Sequence, residues 1–105
     1  MIWGSQYDAM MNWMAKTENK VGNADSTKTN TDANKVTGSS KDDVINNIYD
    51  LYGCHYEWTM ETKLTDLRVL RGGYYEYSNS PSYRDSNGPH YAYSTNSCRA
   101  MIYIK

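Results

Sequence analysis

The stretch Asn47-Ile48-Tyr49-Asp50-Leu51-Tyr52-Gly53-Cys54-His55-Tyr56-Glu57-Trp58-Thr59, followed by Arg68-Val69-Leu70-Arg71-Gly72-Gly73, decides how the chain is read. Asn46-Asn47 and Gly53 are turn formers, because Asn and Gly reach backbone conformations closed to most side chains. From His55 to Thr59 the chain alternates and is aromatic, which predicts a strand. Leu67 to Leu70 predicts a second short strand. It ends at Gly72-Gly73, a pair suited to a tight backbone turn.

On the N-terminal side, Ser5-Gln6-Tyr7-Asp8 has the form of a capping box, with a hydroxyl at the N-cap and a carboxylate at N3. Tyr7, Met10, Met11 and Met14 follow at helical spacing, which predicts a helix over residues 6–16 with this stripe packed in the core. Trp3, Trp13 and Trp58 are assigned to the core or its edge. From Thr17 to Asp43 the chain turns polar and reads as a long loop insertion. Val21-Gly22 and Val36-Thr37-Gly38 leave a weak hairpin open there. At the other end Ala100-Met101-Ile102-Tyr103-Ile104 is β-branched and aromatic and predicts a third strand. One helix, three short strands and much irregular chain indicate an α+β domain spanning residues 1–105, alone or as the C-terminal part of a longer chain.

Residues 74–96 stand apart. Of these 23 residues, 16 are Tyr, Ser, Asn, Asp or His, and six of the 16 are Tyr. So many hydroxyls and amides could not all find partners in a dry core. So many aromatic rings do not suit an ordinary solvated loop either. Tyr offers a large contact face on two rotatable bonds, and Ser and Asn offer adaptable hydrogen bonds, the mixture that binding loops favour. The candidate ligand-binding residues are Tyr74, Glu76, Asn79, Tyr83, Asp85, Asn87, His90, Tyr91, Tyr93 and Asn96. Tyr75 is expected to pack, and Arg84 and Arg99 to pin loops through hydrogen bonds. Pro81 and Pro89 stiffen the segment, which lowers the ordering cost of binding. His55 is assigned a structural role.

Composition narrows the partners. Net charge is -1 and no Lys/Arg cluster occurs, so no nucleic-acid partner is expected. No apolar run approaches the roughly 20 residues that span a bilayer, so no membrane insertion is expected, and no signal peptide is expected at the N-terminus. Phe is absent while Tyr reaches 11 and Met 6, which predicts a shallow core with aromatics whose hydroxyls reach water or a partner. Cys54 and Cys98 make no disulfide framework, and sequence does not fix whether they approach. Two His and two Cys lack metal-ligand spacing. No cofactor, no metal site and no catalytic residue is expected. A homo-oligomer remains compatible with the sequence.

The quoted stretches resemble a known family. Residues 47–59 are similar to the "YDL-x-GN-x-W-E-W-T" signature of formylglycine-generating-enzyme-like domains, and Arg68-Val69-Leu70-Arg71-Gly72-Gly73 to their "RV-x-RGG". Ser97-Cys98-Arg99 before an apolar segment resembles their terminal "GFR" strand. Gln6-Tyr7-Asp8 stands where these domains have "E-W-E" opening a helix. The resemblance implies a C-type-lectin-like fold, a small antiparallel sheet with one main helix and long loops. It also argues against the family's chemistry. The two oxidising cysteines that follow Arg-Gly-Gly would fall at Tyr77 and Ser82, which supply no thiolate. Related sulfoxide-forming iron enzymes need several histidines, and this chain has His55 and His90 alone. Family members can bind calcium through the "GN-x-W-E" region, but here Cys54 replaces the Asn beside the retained Glu57, and a thiol is a poor ligand for a hard cation. The "EPN", "QPD" and "WND" motifs of sugar-binding C-type lectins are absent.

One subgroup of this fold is closer. Diversity-generating retroelements rewrite the C-terminal part of C-type-lectin-fold proteins at adenines, converting Asn codons to Tyr, Ser, Asp, His and Cys. Those residue types crowd positions 74–96. The chain resembles such a phage or gut-bacterial variable protein, or the tip of a phage tail fibre. The resemblance implies a non-enzymatic domain on a virion or cell surface, whose variable segment binds a protein or glycan ligand on a cell. The alternative is a degenerate enzyme homologue kept as a structural or assembly module of a virion.

Overall fold

The computed structural model describes residues 1–18, 36, 44–51, 55–76 and 82–102. In chain order the elements are α1 (Gly4–Glu18), β1 (Val44–Ile45), β2 (Ile48–Tyr49), β3 (Tyr56–Leu64), β4 (Leu67–Arg71), β5 (Arg84–Asn87) and β6 (Asn96–Cys98). The fold is α+β: the described residues form one helix, a two-stranded hairpin and a mixed four-stranded sheet ordered β5-β4-β3-β6. No helix among the described residues is long and apolar enough to cross a membrane.

The helix starts two residues earlier than the Ser5 capping box predicts and ends two residues later. Trp3 is the N-cap. Its carbonyl accepts from the Gln6 and Tyr7 amides, and the Gln6 side chain reaches back to the Trp3 N–H at 2.7 Å. A carboxamide at N3 thus makes half of a capping box, and Ser5 lies exposed in the first turn. The stripe behaves as read: Tyr7 and Met14 are buried, and Met10 and Met11 pack partly buried against the core. Trp3 and Trp13 correct the expectation of core tryptophans, being 50% and 47% exposed. Trp3 precedes the helix, and Trp13 flanks the packed stripe, about 120° round the helix from Tyr7.

The apolar core joins α1 to the hairpin. Ile2, Tyr7 and Met14 meet Ile45 and Leu51, with Ile48 beside them. Asn46 and Asn47 form the hairpin turn, with φ of 51° and 63°. Two successive positive φ angles suit the twist of a two-residue hairpin, and Asn tolerates them. The Asn46 amide also contacts the Thr17 hydroxyl, tying the turn to the end of α1. The reading of residues 19–35 and 37–43 as a polar loop lies outside the described residues; Val36 is exposed.

The predicted strands at 55–59 and 67–70 are the paired β3 and β4. Their register shifts between Trp58 and Thr62 and again before Leu64, which marks bulges on β3. Ile2 bridges to Thr59 in this bulged region, and its carbonyl accepts the Met60 N–H at 2.9 Å. Gly72 and Gly73 end β4 at φ of 87° and 72°. A Cβ on Gly72 would also meet the Leu51 carbonyl at 2.8 Å and the Tyr7 hydroxyl at 2.9 Å, so only glycine fits.

Two elements differ from the sequence reading. The third strand is Asn96–Cys98, not residues 100–104. It runs parallel to β3, pairing Tyr56 with Asn96 and Trp58 with Cys98. Ala100, Met101 and Ile102 are in no strand, and residues 103–105 lie outside the described chain. Pairing outweighs propensity here. The Tyr56 amide donates to the Thr95 carbonyl at 2.9 Å and the Ser97 hydroxyl to the Tyr56 carbonyl at 3.0 Å. The second difference is β5, an edge strand inside the Tyr-rich segment. Its sequence Arg-Asp-Ser-Asn has no β-forming residue, and a polar edge strand discourages pairing with other chains.

Candidate functional site

Strand alternation sorts the sheet into two faces with opposite chemistry. Arg84, Arg71, Glu57 and Ser97 lie in register across β5, β4, β3 and β6. The next row is Asp85, Leu70, Trp58 and Cys98. The first row faces α1 and the second faces away from it.

The helix-facing row is an ion-pair network. Arg71 is fully buried and donates to Asp8 of α1 at 2.6 Å, while its second terminal nitrogen stands 3.7 Å from Glu61. Arg84 bridges the same two acids, at 2.9 Å to Asp8 and 3.1 Å to Glu61. Arg99 grips both oxygens of Glu57 and donates to the Tyr49 carbonyl at 3.0 Å, pinning β3, β2 and the C-terminal segment together. The expectation that Arg84 and Arg99 pin segments is met, though Arg84 does so at the surface, with its side chain 46% exposed. Burial pushes the Glu57 carboxyl above its usual range, and the Arg99 guanidinium pulls against that shift. Burial works to lower the Arg99 pKa, but its bonds to Glu57 outweigh it and hold the guanidinium above its ordinary value. Glu57 is thus engaged by a cation of the chain itself. Among the described residues no group of three or more His, Cys, Asp or Glu stands together to hold a metal. Cys98 is an exposed free thiol, and Cys54 lies outside the described residues.

The opposite face carries an open cleft of about 330 Å³. Tyr56, Leu70, Asp85, Asn87 and Asn96 line it from the strands, and Tyr74, Tyr83, Tyr93 and Thr95 from the connecting segments. Six of the sequence-selected residues therefore converge here: Tyr74, Tyr83, Asp85, Asn87, Tyr93 and Asn96. Tyr56 and Tyr74 set their rings 5.1 Å apart, inclined at 43°. The other candidates lie around or beyond it. Tyr91 stacks on Tyr93 with centroids 5.9 Å apart, and His90 leans on Tyr91 at 4.2 Å, so an exposed aromatic ladder extends one wall. Glu76 does not line the cleft; it is exposed and stands 3.4 Å from the Tyr74 hydroxyl. Asn79 lies outside the described residues. Tyr75 is half-buried and packs edge-on against Tyr74 and His55.

Tyr56, Leu70 and Thr95 are the lining residues that the sequence reading missed. The sequence places Tyr56 and Leu70 on predicted strands without fixing which sheet face they serve. Their signal was the period of two: Tyr56 shares a face with Trp58, and Leu70 pairs with Trp58. Buried to 7% and 3% exposure, they floor the cleft, while the more exposed tyrosines wall it. An apolar floor with hydroxyls, carboxamides and one carboxylate at the rim suits reversible recognition of a partly polar ligand. No protein-family model, no curated protein and no solved structure matches the chain.

Proposed function

We propose that the chain is a non-enzymatic recognition domain that binds a protein or glycan ligand on a cell surface through the tyrosine-walled cleft. The observation that carries this reading is convergence. Tyr74, Tyr83, Asp85, Asn87, Tyr93 and Asn96 stand out by residue type alone, and they meet in one cleft. Helix α1 on one sheet face and a cleft on the other suit the C-type-lectin-like fold of the formylglycine-generating-enzyme subtype. The Tyr, Asn and Asp content of the cleft suits a retroelement-diversified variable protein or a phage tail-fibre tip. Tyr77 and Ser82 at the places of the oxidising thiols speak for binding rather than catalysis.

An array of cell-surface glycans and proteins, probed with the whole chain and with Tyr74→Ala/Tyr83→Ala/Tyr93→Ala, tests this. The wild type should bind a restricted set, and the triple variant should lose it while keeping its melting transition. A folded triple variant with unchanged binding would place recognition elsewhere and leave the structural-module reading standing.

A further inference from the structure

We propose that the cleft takes an organic cation: an ammonium head group on a short alkyl arm, with Asp85 as counter-ion and tyrosine rings as walls. The proposal rests on reading this cleft as the recognition site.

The charge arrangement points to it. Asp85 uses one carboxylate oxygen to accept the Ser86 N–H at 2.7 Å, and its other oxygen accepts nothing among the described residues. No Lys, Arg or His lines the cleft among the described residues. Strand alternation places Arg71 and Arg84 on the far face, where Asp8 and Glu61 engage them, and Arg99 is held by Glu57. Arg68 shares the cleft's face, paired with Asn87, but its guanidinium stands 3.5 Å from the Leu67 carbonyl and forms no ion pair with Asp85. Three of these four arginines thus stand away from the cleft, Arg68 alone shares its face, and the Asp85 carboxylate at the rim has no ion pair among the described residues.

The walls agree. Tyr56, Tyr74, Tyr83 and Tyr93 surround the space, and the faces of aromatic rings carry negative potential that attracts ammonium groups. Acceptors that could serve a neutral polyol are partly used. Asn87 Oδ1 accepts the Gly88 N–H at 2.9 Å, and Asn96 Oδ1 faces the Thr95 hydroxyl at 3.5 Å. A neutral ligand covering Asp85 would desolvate the carboxylate with no charge to offset it, and an anion would be repelled. A cation meets both the carboxylate and the rings.

The test uses the whole chain with choline, Nα-acetyl-lysine methylamide and the neutral choline isostere 3,3-dimethylbutan-1-ol, followed by calorimetry and amide shift mapping. Both cations should shift the Asp85 and Asn87 amides saturably, and the neutral isostere should bind at least about tenfold more weakly. Tighter choline binding would identify a methylated ammonium and tighter lysine binding a primary one; either supports the proposal. Asp85→Asn should weaken both cations by about tenfold, with an unchanged melt. Equal binding of the neutral isostere, an unaffected Asp85→Asn variant, or no saturable shift up to about 50 mM choline would overturn it. Suppose Asp85→Asn keeps the array ligand while the triple tyrosine variant loses it. Then the cation assignment fails and the cleft remains the recognition site.

Discussion

The guanidinium of Arg71 lies 4.6 Å from the centre of the Tyr7 ring, and neither side chain reaches solvent. This stacked pair is where helix and sheet meet. It buries a charge beneath an aromatic face, with Asp8 and Glu61 as counter-ions at the boundary. The helix is thereby locked on one face of the sheet, and the other face is left for the cleft.

The network has a preferred direction of failure. Removing a counter-ion strands the buried charge, whereas replacing the charge by an apolar chain of similar length does not. Asp8→Ala should therefore cost about 2–4 kcal/mol, and Arg71→Met should cost less. Urea denaturation of the two variants checks the order. A more stable Asp8→Ala than Arg71→Met would show that Arg71 is held by packing alone.

Tyr7 makes the fold sensitive to alkali. Burial pushes its phenol well above the ordinary range, and its hydroxyl donates to the Leu51 carbonyl at 2.7 Å. The unfolded chain releases this proton near pH 10, while the folded one retains it. The contribution is therefore fully present below about pH 10 and falls by about 1.4 kcal/mol per pH unit above it. Denaturation midpoints measured from pH 9 to 11 should drop in the wild type and drop less steeply in Tyr7→Phe. Equal slopes would mean that Tyr7 ionises within the fold.

The N-cap at Trp3 can be checked by alanine substitution at Gln6 and Ser5. Gln6→Ala removes the bond to the Trp3 N–H and should cost about 0.5–1 kcal/mol, while Ser5→Ala should stay within about 0.5 kcal/mol. Thermal melts in which Ser5→Ala is the worse variant would restore the capping box at Ser5.

What the sequence made legible follows from which interactions are local. The Tyr7–Met14 stripe, the Asn46-Asn47 turn and the Gly72-Gly73 break are set by neighbours a few residues away, and each appears where it was read. Six of the nine residues lining the cleft stand out by chemistry, because a run of Tyr, Ser and Asn is too polar for a dry core. β5 and β6 were not legible. Arg84–Asn87 and Asn96–Cys98 have little strand propensity, and their pairing comes from β4 and β3, distant in sequence. The helix start moved for a similar reason: Ile2 bridges to Thr59, which brings the chain into position to turn helical at Gly4. The floor residues Tyr56 and Leu70 were seen as apolar, but which face they served depended on this pairing.

The most direct test of the central claim is an amide shift map of the labelled chain with the strongest ligand that the surface array selects. Perturbations should centre on Tyr56, Leu70, Asp85 and Asn96 and extend to Tyr91 and Tyr93, with the α1 amides unmoved. Perturbations centred instead on the exposed Trp3 and Trp13 side of the helix, with the cleft silent, would contradict that claim.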